Sequence, residues 1–142
     1  MTSLRSHSKS SDTKRVLIVD DDADLREAFD EVLRIFDYDV LSARDGAEAM
    51  DLLQSLSDEE LPNLILLDYQ MPRMDGVTFS QLKARDRRIA PIPLVLLSAC
   101  GERAEIKAMK ERAVVEAHVQ KPLDLDHLLD LTHHYVQQPS LS

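Results

Sequence analysis

What the chain lacks narrows its class first. It has one cysteine, Cys100, so no internal disulfide can form, which fits a reducing, cytoplasmic location. No apolar run approaches the roughly 20 residues that a membrane-spanning helix needs. The first residues have no apolar centre of the kind a secretory signal requires. Positive charge is in deficit: 17 Lys and Arg against 26 Asp and Glu leave a formal net charge of -9. The overall field of such a chain attracts neither nucleic acid nor an anionic membrane surface, and neither is expected as a direct partner. No Gly-rich turn follows the first apolar run. Asp20-Asp21-Asp22 stands there instead and would repel a pyrophosphate, which counts against a dinucleotide-binding module.

What is present suits one α/β domain of 142 residues, 44% hydrophobic and 30% charged. Residues 1–13 are rich in Ser and Thr, with some basic and few apolar side chains, and are expected to form a disordered tail. Residues 14–136 carry the patterned part, and 137–142 read as a short polar tail. Four-residue apolar runs at Val16–Val19, Leu64–Leu67 and Leu94–Leu97 predict strands buried on both faces. Weaker strands are expected at Tyr38–Ala43 and within Val114–Gln120.

Helical spacing fills the intervals. Leu25, Ala28, Phe29, Val32, Leu33 and Phe36 share one helical face, as do Ala49, Leu52, Leu53 and Leu56. Val77, Phe79 and Leu82 mark a short third helix, and Arg85 to Arg88 its solvated end. A thin stripe of Ile106, Met109 and Ala113 predicts a fourth helix over about Gly101 to Ala113. Leu125, Leu128, Leu129, Thr132 and Val136 predict a fifth, with Asp124 able to cap it. Ser57 to Asn63 is expected to be an acidic loop. His127, His133 and His134 read as a solvated helix face, because no acid or cysteine at recognisable spacing completes a ligand set. Alternating strands and helices require right-handed crossovers and a parallel sheet, doubly wound with helices on both faces.

In such a sheet, chemistry collects at the carboxyl ends of the strands. Asp20 and Asp21 follow the first run, Asp68 the third, Ser98 the fourth and Lys121 the fifth. Three carboxylates close together repel one another unless a cation is present. A hard divalent ion such as Mg²⁺ satisfies that need with oxygen ligands. Lys121 can then meet an incoming phosphoryl group as a point charge, and Ser98 can donate a hydrogen bond to it. Asp68 remains as the attacking carboxylate, since aspartyl phosphate formation is a known form of nucleophilic catalysis. One of the acids, Asp22, is expected to cap the first helix as well.

Val16 to Asp22, the stretch Asp68 to Gly76 (Asp-Tyr-Gln-Met-Pro-Arg-Met-Asp-Gly), Ser98-Ala99 and Lys121-Pro122-Leu123 together resemble the receiver domain of two-component response regulators. The resemblance spans about residues 14–136 and implies a flavodoxin-like (βα)5 sandwich with strand order 2-1-3-4-5. It implies that Asp68 is the phosphoacceptor, that Asp21 binds Mg²⁺ directly, and that Asp20 helps to hold the metal. The backbone carbonyl of Gln70 would complete that site, and the Gln70 side chain would tune dephosphorylation. Ser98 matches the switch hydroxyl and Lys121 the family's lysine, with a cis bond expected before Pro122. His118 stands where the family's switch aromatic falls, a departure that places a titratable ring there. Val114-Val115 replaces a frequent Gly-Ala pair, so the loop before the fifth strand is expected to be reshaped.

The expected partners are a sensor histidine kinase or histidine phosphotransfer protein and a downstream protein that reads the surface around the fourth strand, the helix over 101–113 and the fifth strand. Any homodimer is expected to use the 101–136 face. With only a short tail after the last helix, a stand-alone switch is expected, or else a piece of a larger regulator or hybrid kinase. The alternative in a different class is an aspartyl-phosphate phosphohydrolase. Such an enzyme resembles this site but usually places a second Asp two residues beyond the nucleophile, where this chain has Gln70. A switch rather than a turnover enzyme is therefore expected. The complete acidic set also argues against a pseudo-receiver that signals without phosphorylation.

Overall fold

The computed structural model describes residues 13–71, 74–99, 103–112, 114–122 and 124–137. The expected tails over residues 1–12 and 138–142, and the setting of Cys100, lie outside these residues. Five strands and five α-helices alternate: β1 Arg15–Val19, α1 Ala23–Ile35, β2 Asp39–Ala43, α2 Gly46–Ser55, β3 Leu64–Asp68, α3 Gly76–Ala84, β4 Leu94–Ser98, α4 Ala104–Glu111, β5 Ala117–Gln120 and α5 Leu125–Gln137. All strand pairings are parallel, in the order β2-β1-β3-β4-β5. The flavodoxin-like sheet expected from the motifs is thus the observed one.

Burial follows from strand position. Every residue of β1, β3 and β4 is buried, whereas the edge strands β2 and β5 are buried only in part. Alternation along the inner strands sends side chains to two cores. Leu17, Val19, Ile65, Leu67, Leu94 and Leu96 meet Ala49 and Leu53 of α2, Phe79 of α3, and Ile106 and Met109 of α4. Val16, Ile18, Leu64, Leu66, Val95 and Leu97 meet Phe29 and Leu33 of α1 and Leu128 and Val136 of α5. An uninterrupted apolar run is what a strand sandwiched by two helix layers requires.

Helix starts follow local chemistry. Asp22 caps α1 by accepting from the amides of Asp24 and Leu25, as expected. Asp45 caps α2 and Asp75 caps α3, each through the amide three residues on. Asp124 accepts from the amide of Asp126 as α5 begins. At the end of α1, Asp37 takes the left-handed conformation (φ 67°), which a short polar side chain tolerates in place of glycine.

Several expectations are corrected. Among the described residues the fourth helix spans Ala104–Glu111 with Ile106 and Met109 buried, while Gly101, Glu102 and Ala113 of the expected span lie outside the described residues. The last helix includes Gln137, the first residue assigned to the polar tail. The acidic loop contains a 3-10 turn, Asp58–Glu60, with Glu60 accepting from the Ser57 amide at 2.8 Å. Arg85 to Arg88 is not simply solvated. Arg88 reaches Asp58 at 2.7 Å and the Leu56 carbonyl, while Asp86 accepts from Gln54 at 2.8 Å. These bonds tie the end of α3 to the end of α2. His133 is half-buried, hydrogen-bonded to the Tyr38 hydroxyl and edge-on to the Phe36 ring.

Two buried cations were not foreseen. Arg15 pairs with Asp39 at 2.7 Å and donates to the Glu60 carbonyl, fastening β1 to β2 and to the 3-10 turn. Lys83, at the end of α3, donates to the Ala90 carbonyl at 2.8 Å. Burial pulls the Lys83 amine down to about 8, against a smaller upward pull from Glu116. Below that pH the folded protein bears the full cost of burying an ammonium. Between about pH 8 and the ordinary lysine range near 10.5, the unfolded chain holds more protons than the folded one, so stability rises with pH. Urea titrations from pH 7 to 10 are therefore expected to show that rise in the wild type and to lose it in Lys83→Met.

Gly46 opens α2 where little room is left for a side chain. A Cβ there would sit 2.9 Å from both the carbonyl oxygen and the Cβ of Met74, in the loop after β3. Gly46→Ala should destabilise the fold by about 1 kcal/mol or more, because crowding outweighs the gain in helix propensity. The midpoint of urea unfolding checks it, and an unchanged or higher midpoint would contradict the packing.

Candidate functional site

The carboxyl edge of the sheet brings the expected residues together. Asp20 follows β1 and is fully buried, Asp68 ends β3 and is nearly so, and Asp21 is exposed beside them. One carboxylate oxygen from each of the three lies within 4.8 Å of the others. The Lys121 ammonium enters from the segment after β5, 2.9 Å from Asp20 Oδ2 and 3.6 Å from Asp68 Oδ2. Its backbone amide donates to the Ser98 carbonyl at 2.7 Å, and the Lys121–Pro122 bond is cis. Ser98 is buried at the end of β4, next in register to the pairing of Asp68 with Leu97.

Each acid is oriented differently. Asp20 is held at four points. Its amide donates to the Ala43 carbonyl, Oδ1 accepts from the Asp22 amide at 3.0 Å, Oδ2 accepts from Lys121, and its carbonyl accepts from Arg26 Nη1 at 2.7 Å. Asp68 Oδ1 accepts from the Gln70 amide at 3.2 Å. That bond orients the carboxylate and turns the chain at Gln70. The loop closes where the Gly76 amide donates to the Tyr69 carbonyl at 2.9 Å. A Cβ at Gly76 would come within 3.1 Å of the Tyr69 Cα, so this close approach suits glycine.

Electrostatics at the site are strained in one direction. Burial and the Asp20 charge push the Asp68 carboxyl up to about 6. Lys121 and the Gln70 amide oppose that push, and Asp21 adds to it. Burial draws the Lys121 amine down, but the hydrogen bond and charge of Asp20, with Asp68 behind it, outweigh this and hold it above the usual lysine value. One ammonium thus faces three carboxylates. The residual negative charge and the all-oxygen donor set fit a hard divalent cation such as Mg²⁺. Gln70 is exposed at the turn where its carbonyl was expected to serve the same ion.

His118 lies apart from the acids. It is half-buried on β5, paired in register with Leu96, and alternation places it on the face covered by α4. Arg26 was not singled out by any motif. Its only signal in the sequence is a cation one helical turn beyond the cap Asp22, among acids, and nothing in that spacing shows that it reaches back to the β1–α1 loop. Among the described residues no helix is long and apolar enough to cross a membrane.

Comparison with known proteins agrees with the geometry. The family model for the response regulator receiver domain matches residues 16–133. Sporulation initiation phosphotransferase F of Bacillus subtilis is 32% identical over 124 residues, covering 87% of this chain and 94% of that protein. The polar-differentiation response regulator DivK of Brucella ovis is 26% identical, over 87% of this chain and 97% of its own. The chain also matches the DNA-binding regulator RpaA of Synechocystis at 34% identity over 81% of its own length, but spans only 46% of that longer protein. Among solved structures, chemotaxis response regulator CheY4 of Vibrio cholerae superposes with a TM-score of 0.74 at 26% identity, covering 87% of this chain and 98% of that one. Its fold, its acidic strand-end site and these matches place the chain in the response regulator receiver domain family, the phosphoryl-accepting modules of two-component signalling.

Proposed function

We propose that Asp68 accepts a phosphoryl group from a phosphohistidine on a sensor kinase or a phosphotransfer protein. The observation that carries this is the convergence of Asp68, Asp20, Asp21 and Lys121 on one sheet edge, with Lys121 within 3.6 Å of the Asp68 carboxylate. In the transfer an Asp68 oxygen forms the new P–O bond as the P–N bond breaks, and the electron pair returns to the donor imidazole nitrogen. Such a transfer needs in-line placement and charge compensation more than proton transfer, so no general base is required beside Asp68.

Each neighbour has a role. The Gln70 amide holds the Asp68 carboxylate in orientation, and Lys121 compensates charge on the arriving phosphoryl oxygens. Asp20, Asp21, Asp68 and the Gln70 carbonyl would hold Mg²⁺, which when bound screens the carboxylates and the phosphoryl oxygens from one another. Ser98 donates to a phosphoryl oxygen once the group is in place. Its backbone bond to Lys121 couples β4 to the end of β5, so a pull on either side chain reaches α4 and His118. A downstream protein reads the resulting change over β4, α4 and β5. Gln70, in place of an acid–base carboxylate, favours a retained phosphoryl group over phosphohydrolase turnover.

Intact mass after incubation with acetyl phosphate and Mg²⁺ tests the central claim. A single phosphoryl adduct is expected on the wild type and none on Asp68→Asn. No adduct on the wild type, or the same adduct on the variant, would overturn it. Ser98→Ala should keep the adduct but weaken the phosphorylation-dependent NMR shifts in α4 and β5. Full-size shifts in that variant would remove the switch role from Ser98.

A further inference from the structure

The Arg26–Asp20 contact carries a further role. Arg26 lies in the second turn of α1, and its guanidinium turns back to the β1–α1 loop to donate to the Asp20 carbonyl at 2.7 Å. That carbonyl belongs to the peptide plane joining Asp20 to Asp21. Asp20 needs little help to stay put, since it is fully buried and also held through its amide and both carboxylate oxygens. Asp21 is the exposed acid of the trio. Its direction depends on the peptide plane that precedes it, and Arg26 bonds the carbonyl on that plane. We infer that Arg26 is a positioning residue that fixes the Asp20–Asp21 peptide and so presents the Asp21 carboxylate to a divalent cation.

Two features separate this role from general packing. The bond joins a charged donor to a main-chain acceptor, so it is stronger than a neutral bond and directional. Arg26 is also cationic and bonds a main-chain carbonyl, so it acts on the ligand's backbone and is not itself a ligand. Groups that orient metal ligands in this way typically matter by about 10-fold or more in metal affinity.

The inference rests on the metal role assigned to Asp21 above, and the test keeps the two apart. Mg²⁺ alone is titrated calorimetrically into wild type, Arg26→Met, Arg26→Lys and Asp21→Asn, with thermal melts of each. Arg26→Met is expected to bind Mg²⁺ about 10-fold more weakly. Arg26→Lys, which restores a charged donor, should return to within about 3-fold of the wild type. Acetyl phosphate labelling of Asp68 in Arg26→Met should recover at saturating Mg²⁺. Wild-type affinity in Arg26→Met, or no rescue by lysine, overturns the positioning role alone. Absence of Mg²⁺ binding in the wild type, or no loss in Asp21→Asn, overturns the metal assignment and this role with it.

Discussion

Repulsion among carboxylates at the carboxyl edge of the sheet is the constraint on which the site depends. Asp20 and Asp68 are buried where water screens them little, and an Asp21 oxygen stands within 4.8 Å of both. A single ammonium, on Lys121, answers them. The raised carboxyl of Asp68 records the imbalance. A site in this condition gains from any added positive charge and from a group that brings its own cation. A divalent cation would relieve that stress, and the phosphoryl transfer proposed for Asp68 would add charge beside the same neighbours.

The scaffold sustains that stress because the acids stand on its most rigid part. β1 and β3 are central strands with every side chain buried, and two separate cores press on them from opposite faces. Close-packed layers of this kind resist small displacements. Asp20 and Asp68 therefore cannot move apart to lower their repulsion. The periphery is packed less fully: β5 is only partly buried and α4 rests on Ile106 and Met109. The Lys121 amide bonded to the Ser98 carbonyl joins the buried β4 to the segment after β5.

Away from the site, polar ties do work that apolar packing does not. Arg15 fastens the amino ends of the strands to the 3-10 turn, and Arg88 with Asp86 closes the connection between α2 and α3. His133 seals the gap between α1 and α5 by meeting Phe36 and Tyr38. None of these bonds touches the acids. They set the distances between elements at the opposite end of the sheet and along its flanks.

The site was legible in the sequence because each of its side chains ends or directly follows a strand. Apolar runs locate the strands, a parallel sheet aligns their carboxyl ends, and Asp20, Asp21, Asp68, Ser98 and Lys121 follow as neighbours. Caps such as Asp22 are local, within three residues of the amides they bind, so they too were predictable. Arg26, Arg88, Lys83 and His133 were not, since each acts through a folded-back contact that spacing along the chain does not display. A surface cation in the sequence looks the same whether it faces water or folds back on a carbonyl. Local pattern thus determined the strands, the caps and the chemistry at the sheet edge. Tertiary structure alone decided which charged groups were buried and what they hold in place, because the energy of a charge depends on its surroundings rather than on its position in the chain.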